Sequence, residues 1–302
     1  MIRKAALIII GALLLLSSCS QRAKTSIARS GNVVYYWRTT FSLDSLQLSF
    51  LRHHHISSIY CRYFDVVKDA KEEVVPNVTI QFRQAIPDGI EIVPTVFIMN
   101  NCMQQFPDSL AQRIVRRIVQ MNETHDVTNV HEIQIDCDYT ARNRKLYYQF
   151  LQEVRDAAAA HGLRLSTTIR LHQLSMPAPP ADYGVLMLYN TGEPNRFIKG
   201  RNADGSWQRH NPILDLRDVQ PYVRYLKDYP LPLAAAYPVF RWQRTLHGVQ
   251  VEHVAKYDDI IRTKQLVEAE RADLSQLIFT YHLDNENILR YTTEQYENIY
   301  HH

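Results

Sequence analysis

Several things are missing from this sequence, and each absence removes a class of protein. Beyond the first nineteen residues no apolar run is long enough to cross a bilayer. Neither sign of charge dominates. The 34 Lys and Arg, less Arg3 and Lys4, leave 32 cations against 31 acids, which gives no electrostatic case for nucleic acid. There is no CxxC and no zinc-type spacing. Past Cys19 only Cys61, Cys102 and Cys137 remain, and three cannot all pair. No glycine-rich turn follows the first strand-like run, which weakens a doubly wound dinucleotide fold. No Gly-x-Ser-x-Gly elbow supports a serine hydrolase. His53-His54-His55 point apart on a helix end, and His282 with Asp284 lacks an HExxH or His-x-His partner, so no metal is expected. No internal repeat occurs. No Pro/Gly-rich linker divides residues 31–302, which read as one domain.

What is present begins with a leader. Arg3 and Lys4 precede an apolar run from Ala5 to Leu16, too short to span a membrane and suited to a signal peptide. Leu16-Ser-Ser-Cys19 then resembles a bacterial lipobox, which implies that Cys19 is the lipidated first residue of the mature protein. Residues 1–19 are therefore expected to be a lipoprotein signal peptide, and the polar residues 20–30 a tether. The tether has no acidic residue after the cysteine, unlike many surface-exported lipoproteins. The expectation is a lipid anchor on the bacterial outer membrane, facing the periplasm rather than the surface.

From residue 31 onward, strand-like and helix-like runs alternate. Strands are expected near 33–38, 57–64, 91–98, 130–137, 163–170, 184–189, 232–239 and 276–282. Helices are expected near 43–54, 107–122, 142–161, 215–228, 257–272 and 285–299. Within 142–161, Leu146, Phe150, Leu151, Val154 and Ala158 form the apolar stripe, and Gly162 marks the stop. Arg113 to Arg117, interleaved with Ile114 and Val115, reads as the solvated side of an amphipathic helix. Between 66 and 90 only a short helix around 77–85 is expected. About eight strand–helix units predict a (β/α)8 TIM barrel forming a single domain over 31–302. The long connection 190–214, with Trp207, reads as a lid or binding loop.

In such barrels the active site forms at the C-terminal strand ends. Here those ends carry Trp37, Arg62, Asp65, Asp136, Asp138, Arg170, His172, Tyr189, Asn190, Tyr237, Trp242, His282 and Asp284. Aromatic faces beside charged and amide groups suit a sugar. Asp136 and Asp138 are two residues apart, so strand alternation points them the same way, with Gln134 beside them and Cys137 on the opposite, core-packed face. Two neighbouring acids predict one raised pKa, a property of a proton donor.

The run Ile133-Gln-Ile-Asp136-Cys-Asp138-Tyr resembles the fourth-strand region of family-18 chitinases, which reads Asp-x-x-Asp-x-Asp-x-Glu. On this alignment the four motif positions fall on His131, Gln134, Asp136 and Asp138. Only Asp136 is identical, and the family's acid, a Glu, is here Asp138. Met187-Leu-Tyr189-Asn190 is similar to that family's sixth-strand Met-x-Tyr-Asp. The resemblance implies Asp138 as proton donor, Asp136 as the residue orienting an N-acetyl group, and Tyr189 as support for that group, with no cofactor. Trp37, Arg62, Asp65, Asn190, Trp242 and Asp284 are the expected sugar-binding residues. An ordinary two-carboxylate mechanism, with Asp284, Asp65 or Glu193 as partner to Asp138, remains open. The competing expectation is a non-catalytic barrel that binds a glycan or an envelope partner, its acids held by Arg38, Arg62 or Arg170.

Overall fold

The computed structural model describes residues 27, 29–104, 107–193, 197–201, 207–246 and 249–301. The leader, Cys19 and the tether to residue 26 lie outside them. Eight parallel strands form the centre: β1 Gly31–Tyr36, β2 Ile56–Lys68, β3 Glu91–Ile98, β4 Glu132–Asp136, β5 Arg164–Ile169, β6 Tyr183–Met187, β7 Leu233–Pro238 and β8 Leu277–Tyr281. Each pairs with the next, and β1 pairs with both β2 and β8, which closes the ring. The chain is a (β/α)8 TIM barrel.

Alternation along the strands sorts side chains into an outer and an inner set. On β4, Ile133 and Ile135 are fully buried and face outward. Glu132, Gln134 and Asp136 face inward and mark three levels of the interior. At the bottom, Tyr60 and Tyr183 donate to Glu132 at 2.8 and 2.7 Å. At mid-height, the Tyr35 hydroxyl donates to Gln134 at 2.9 Å, and Gln134 donates to Ser166 at 3.2 Å. At the top, Thr168 donates to Asp136 at 2.7 Å. The interior is therefore filled and hydrogen-bonded, a core that supports a site only at its upper rim.

The helices cover the outside: α1 Ser45–His53, α2 Leu110–Thr124, α3 Arg144–Ala159, α4 Leu216–Val223, α5 Tyr257–Glu270, α6 Asn285–Ile288 and α7 Thr293–Tyr300. On α3 the buried stripe is Tyr147, Phe150, Leu151, Val154 and Ala158. Tyr147 takes the place expected for Leu146, which is exposed, because the stripe turns one residue further round the helix. Burying each such side chain contributes about 1.5–3 kcal/mol. Gly162 ends the segment at φ +71°, a left-handed value that favours glycine.

Three connections depart from the expected alternation. No helix follows β2 among the described residues. Val74–Asn77 instead runs antiparallel to the end of β2, and Gln81–Phe82 pairs with Thr40–Phe41, so the short helix expected at 77–85 is absent. The connection after β6 contains an antiparallel pair, Phe197–Arg201 with Trp207–Arg209. After β7 comes a hairpin, Arg241–Leu246 with Val249–Val254. The expected last helix is divided into α6 and α7, each with its own side-chain N-cap, Asp284 and Thr292.

Candidate active site

At the upper rim β4 ends at Asp136, and the chain leaves the sheet before Asp138. The two acids consequently sit in different surroundings. Asp136 is buried, accepts from Thr168 and lies under the rim. Asp138 is half exposed and accepts from Arg170 Nε. Burial raises the Asp136 pKa above the usual carboxylate range. The charges of Asp138 and Asp65 add to the rise, while Arg170 and Thr168 oppose it. For Arg170, burial works against the charge, yet Asp136 and Asp138 together outweigh it and keep the guanidinium a cation.

Asp138 and Arg170 line an open cleft of about 310 Å³ together with His172, Tyr189, Asn190 and Thr191. Tyr189 is buried and stacks on Tyr281 with ring centroids 4.6 Å apart. Arg170 lies 5.8 Å from the Tyr189 ring centre. Asn190 follows at φ +51°, exposed at the cleft edge. Tyr281 in turn meets Trp37 at 5.7 Å and Phe240 at 5.5 Å, so the floor beside the acids is aromatic. Arg170, His172, Thr191, Phe240 and Tyr281 of this group were not among the sugar-site residues expected from sequence. Arg170 was visible at a strand end but was assigned there to the ion network. Tyr281 is the last residue of β8, and nothing local marks it.

The other expected residues are placed unevenly. Trp37 reaches the aromatic floor, with Arg62 5.6 Å over its ring. Arg62 is held by both oxygens of Asp65, its Nε at 2.7 Å from Oδ1, so this pair occupies itself. Trp242 packs on His253 at 4.5 Å in the hairpin after β7. Asp284 caps α6 by accepting from Glu286 N at 3.0 Å and bridges to Arg38 at 2.9 Å. Neither Trp242 nor Asp284 lines the cleft at Asp138. Tyr237, expected at the rim, is fully buried with Lys264 of α5 6.0 Å from its ring, so it belongs to the outer packing. Cys61, Cys102 and Cys137 are buried and free. Among the described residues no group of three or more His, Cys, Asp or Glu could hold a metal ion. Trp207 lies on the strand pair after β6, but its side chain is outside the described set.

No protein-family model matches the chain, and no curated protein matches its sequence. Solved structures do. The spore cortex-lytic enzyme SleL of Bacillus cereus matches at 13% identity, over 89% of this chain and 73% of that one, with a TM-score of 0.54. A chitinase from Bacteroides thetaiotaomicron matches at 10% identity over 91% and 99%, with a TM-score of 0.57. A class V chitinase from Nicotiana tobaccum, solved in complex with NAG4, matches at 11% identity over 91% and 99%, with a TM-score of 0.55. What they share with this chain is the fold. At these identities the likeness assigns the TIM barrel and leaves the chemistry to the residues at its rim.

Proposed function

We propose that this barrel is a glycoside hydrolase-like protein that binds an N-acetylated glycan in the cleft between β4 and β6 and cleaves it by acid catalysis. The observation that carries the reading is the pairing of a solvent-reachable carboxylate, Asp138, with a buried one of raised pKa, Asp136, beside Tyr189 and an open cleft. Asp138 is the proton donor to the leaving oxygen. Asp136, fixed by Thr168, orients the acetamido group that acts as internal nucleophile, and Tyr189 supports that group. The solved chitinases and SleL, which share this barrel fold, support the reading. The lipobox-like Leu16–Cys19 supports a lipid anchor on Cys19, the tether without acidic residues supports a periplasm-facing orientation at an outer membrane, and the substrate is then an envelope or imported glycan.

A second reading has its own observation. Asp138 is one methylene shorter than the glutamate of the resembling family, and Arg170 holds it. A catalytic group misplaced by about 1 Å loses about a hundredfold in rate. In that reading the cleft binds glycan without cleaving it. The two are separated by incubating purified residues 20–302 with N-acetylated and neutral oligosaccharides and measuring both binding and new reducing ends. Binding with cleavage of the N-acetylated set supports the first reading. Binding without cleavage leaves the second, and binding of neither removes both.

A further inference from the structure

Arg170 is a cation in the cleft lining with most of its hydrogen-bonding capacity unspent among the described residues. Its Nε donates to Asp138, while its two terminal nitrogens donate to no described residue. Those nitrogens belong to a side chain that lines the open cleft. The guanidinium feels the charges of Asp136 and Asp138 and lies over the Tyr189 ring, 5.8 Å from its centre. The neighbouring cation, Arg62, is already clasped by Asp65. A fixed guanidinium with a free fork is the preferred receptor for a planar carboxylate, which it meets through two parallel hydrogen bonds. A neutral sugar offers hydroxyls that Asn190 can bind, but nothing shaped to that fork.

We propose that the substrate sugar carries a carboxylate, and that this carboxylate takes the Arg170 fork and releases Asp138 from it. The inference rests on the glycan-binding reading above and names its substrate class, an acidic N-acetylated glycan. Asp138 is half exposed and holds Arg170 through a single nitrogen, so exchanging that partner costs little. When Asp138 leaves, the charge of the buried Asp136 still acts on Arg170. While Arg170 keeps Asp138, the acid is turned from the leaving oxygen. When a substrate carboxylate replaces it, Asp138 swings free toward the cleft. Arg170 then selects the substrate and releases the donor in one event.

The test uses the full chain in detergent with two probes. One is a short strand of alternating N-acetylglucosamine and N-acetylmuramic acid. The other is the same strand with its carboxylates converted to methyl esters. Affinity is measured by calorimetry and cleavage by new reducing ends. We expect the acid form to bind at least tenfold more tightly than the ester, with a matching preference in kcat/KM if cleavage occurs. Arg170→Gln should bring that ratio to about one, and Arg170→Lys should keep part of it, because the charge remains and the fork is lost. Equal affinity for acid and ester in the wild type overturns the inference, as does an Arg170→Gln variant that keeps the preference. If neutral N-acetylglucosamine oligomers bind while the acid form gains nothing, the glycan reading survives and this one fails. If no probe binds, both fail.

Discussion

Asp136 and Asp138 lie two residues apart and in different media, and that difference sets what each can do. The pKa of Asp136 is raised, first by burial. A carboxyl whose folded pKa lies above its unfolded value of about 3.8 contributes stability that is full below that value and is lost as pH rises through the folded pKa. Asparagine mimics the protonated acid. Asp136→Asn should therefore melt above the wild type at pH 7, and the gap should close as pH falls toward 3.8, read by thermal unfolding across pH. A wild type that melts higher at pH 7 would contradict the burial argument. At this scale the sequence carried part of the site. The acid pair was legible because Asp136 ends a run of strand alternation and Asp138 follows it within two residues. Arg170, Tyr281 and Trp37 meet only because three strands far apart in sequence end at one rim, and no local pattern records that meeting.

The elements were legible where their burial is one-sided and periodic. The strands appear because their outward rows are apolar, as Ile133 and Ile135 are on β4, and α3 appears because its stripe repeats at helical spacing. The segment after β2 misled because Val74-Val75-Pro76 and Gln81-Phe82 find their partners in β2 and near Thr40, far along the chain. The hairpin Arg241–Val254, whose two strands are neighbours in sequence, was not expected either. Two strands make tests at this scale. In β6, a Cβ on Gly184 would sit 2.6 Å from Ile169 Cγ1 and 3.1 Å from Leu233 Cδ2. Gly184→Ala should cost about 1–3 kcal/mol of stability by overpacking, measured by urea unfolding. At the barrel floor, Arg29 reaches Glu91 at 2.6 Å and Tyr60 at 2.9 Å, and lies 3.9 Å from the fully buried Glu132. Burial raises the Glu132 pKa, and Arg29 works against the rise. Arg29→Ala leaves that buried carboxylate only the more exposed Arg164, 3.8 Å away, and should cost up to roughly 3–5 kcal/mol, also read by urea unfolding. A loss below 1 kcal/mol would mean that the pair is dispensable.

At the scale of the whole molecule, the barrel divides its ends by task. The floor is closed by Arg29, Tyr60, Glu132 and Tyr183, and the rim opens at Asp138. Arg29, near the end of the stretch expected to be a tether, ties the chain to the floor, the end opposite the cleft. The lipid anchor was read from Leu16 to Cys19, residues outside those described here. Cys19→Ala should move the protein from the membrane pellet to the soluble fraction, and retention in the pellet would contradict the lipobox. If Asp138 delivers the proton at this rim, Asp138→Asn should bind one N-acetylated oligosaccharide as the wild type does and cleave it about 10²–10⁴-fold more slowly, with affinity and reducing ends measured in the same samples. Cleavage by the variant at the wild-type rate would take Asp138 out of the mechanism.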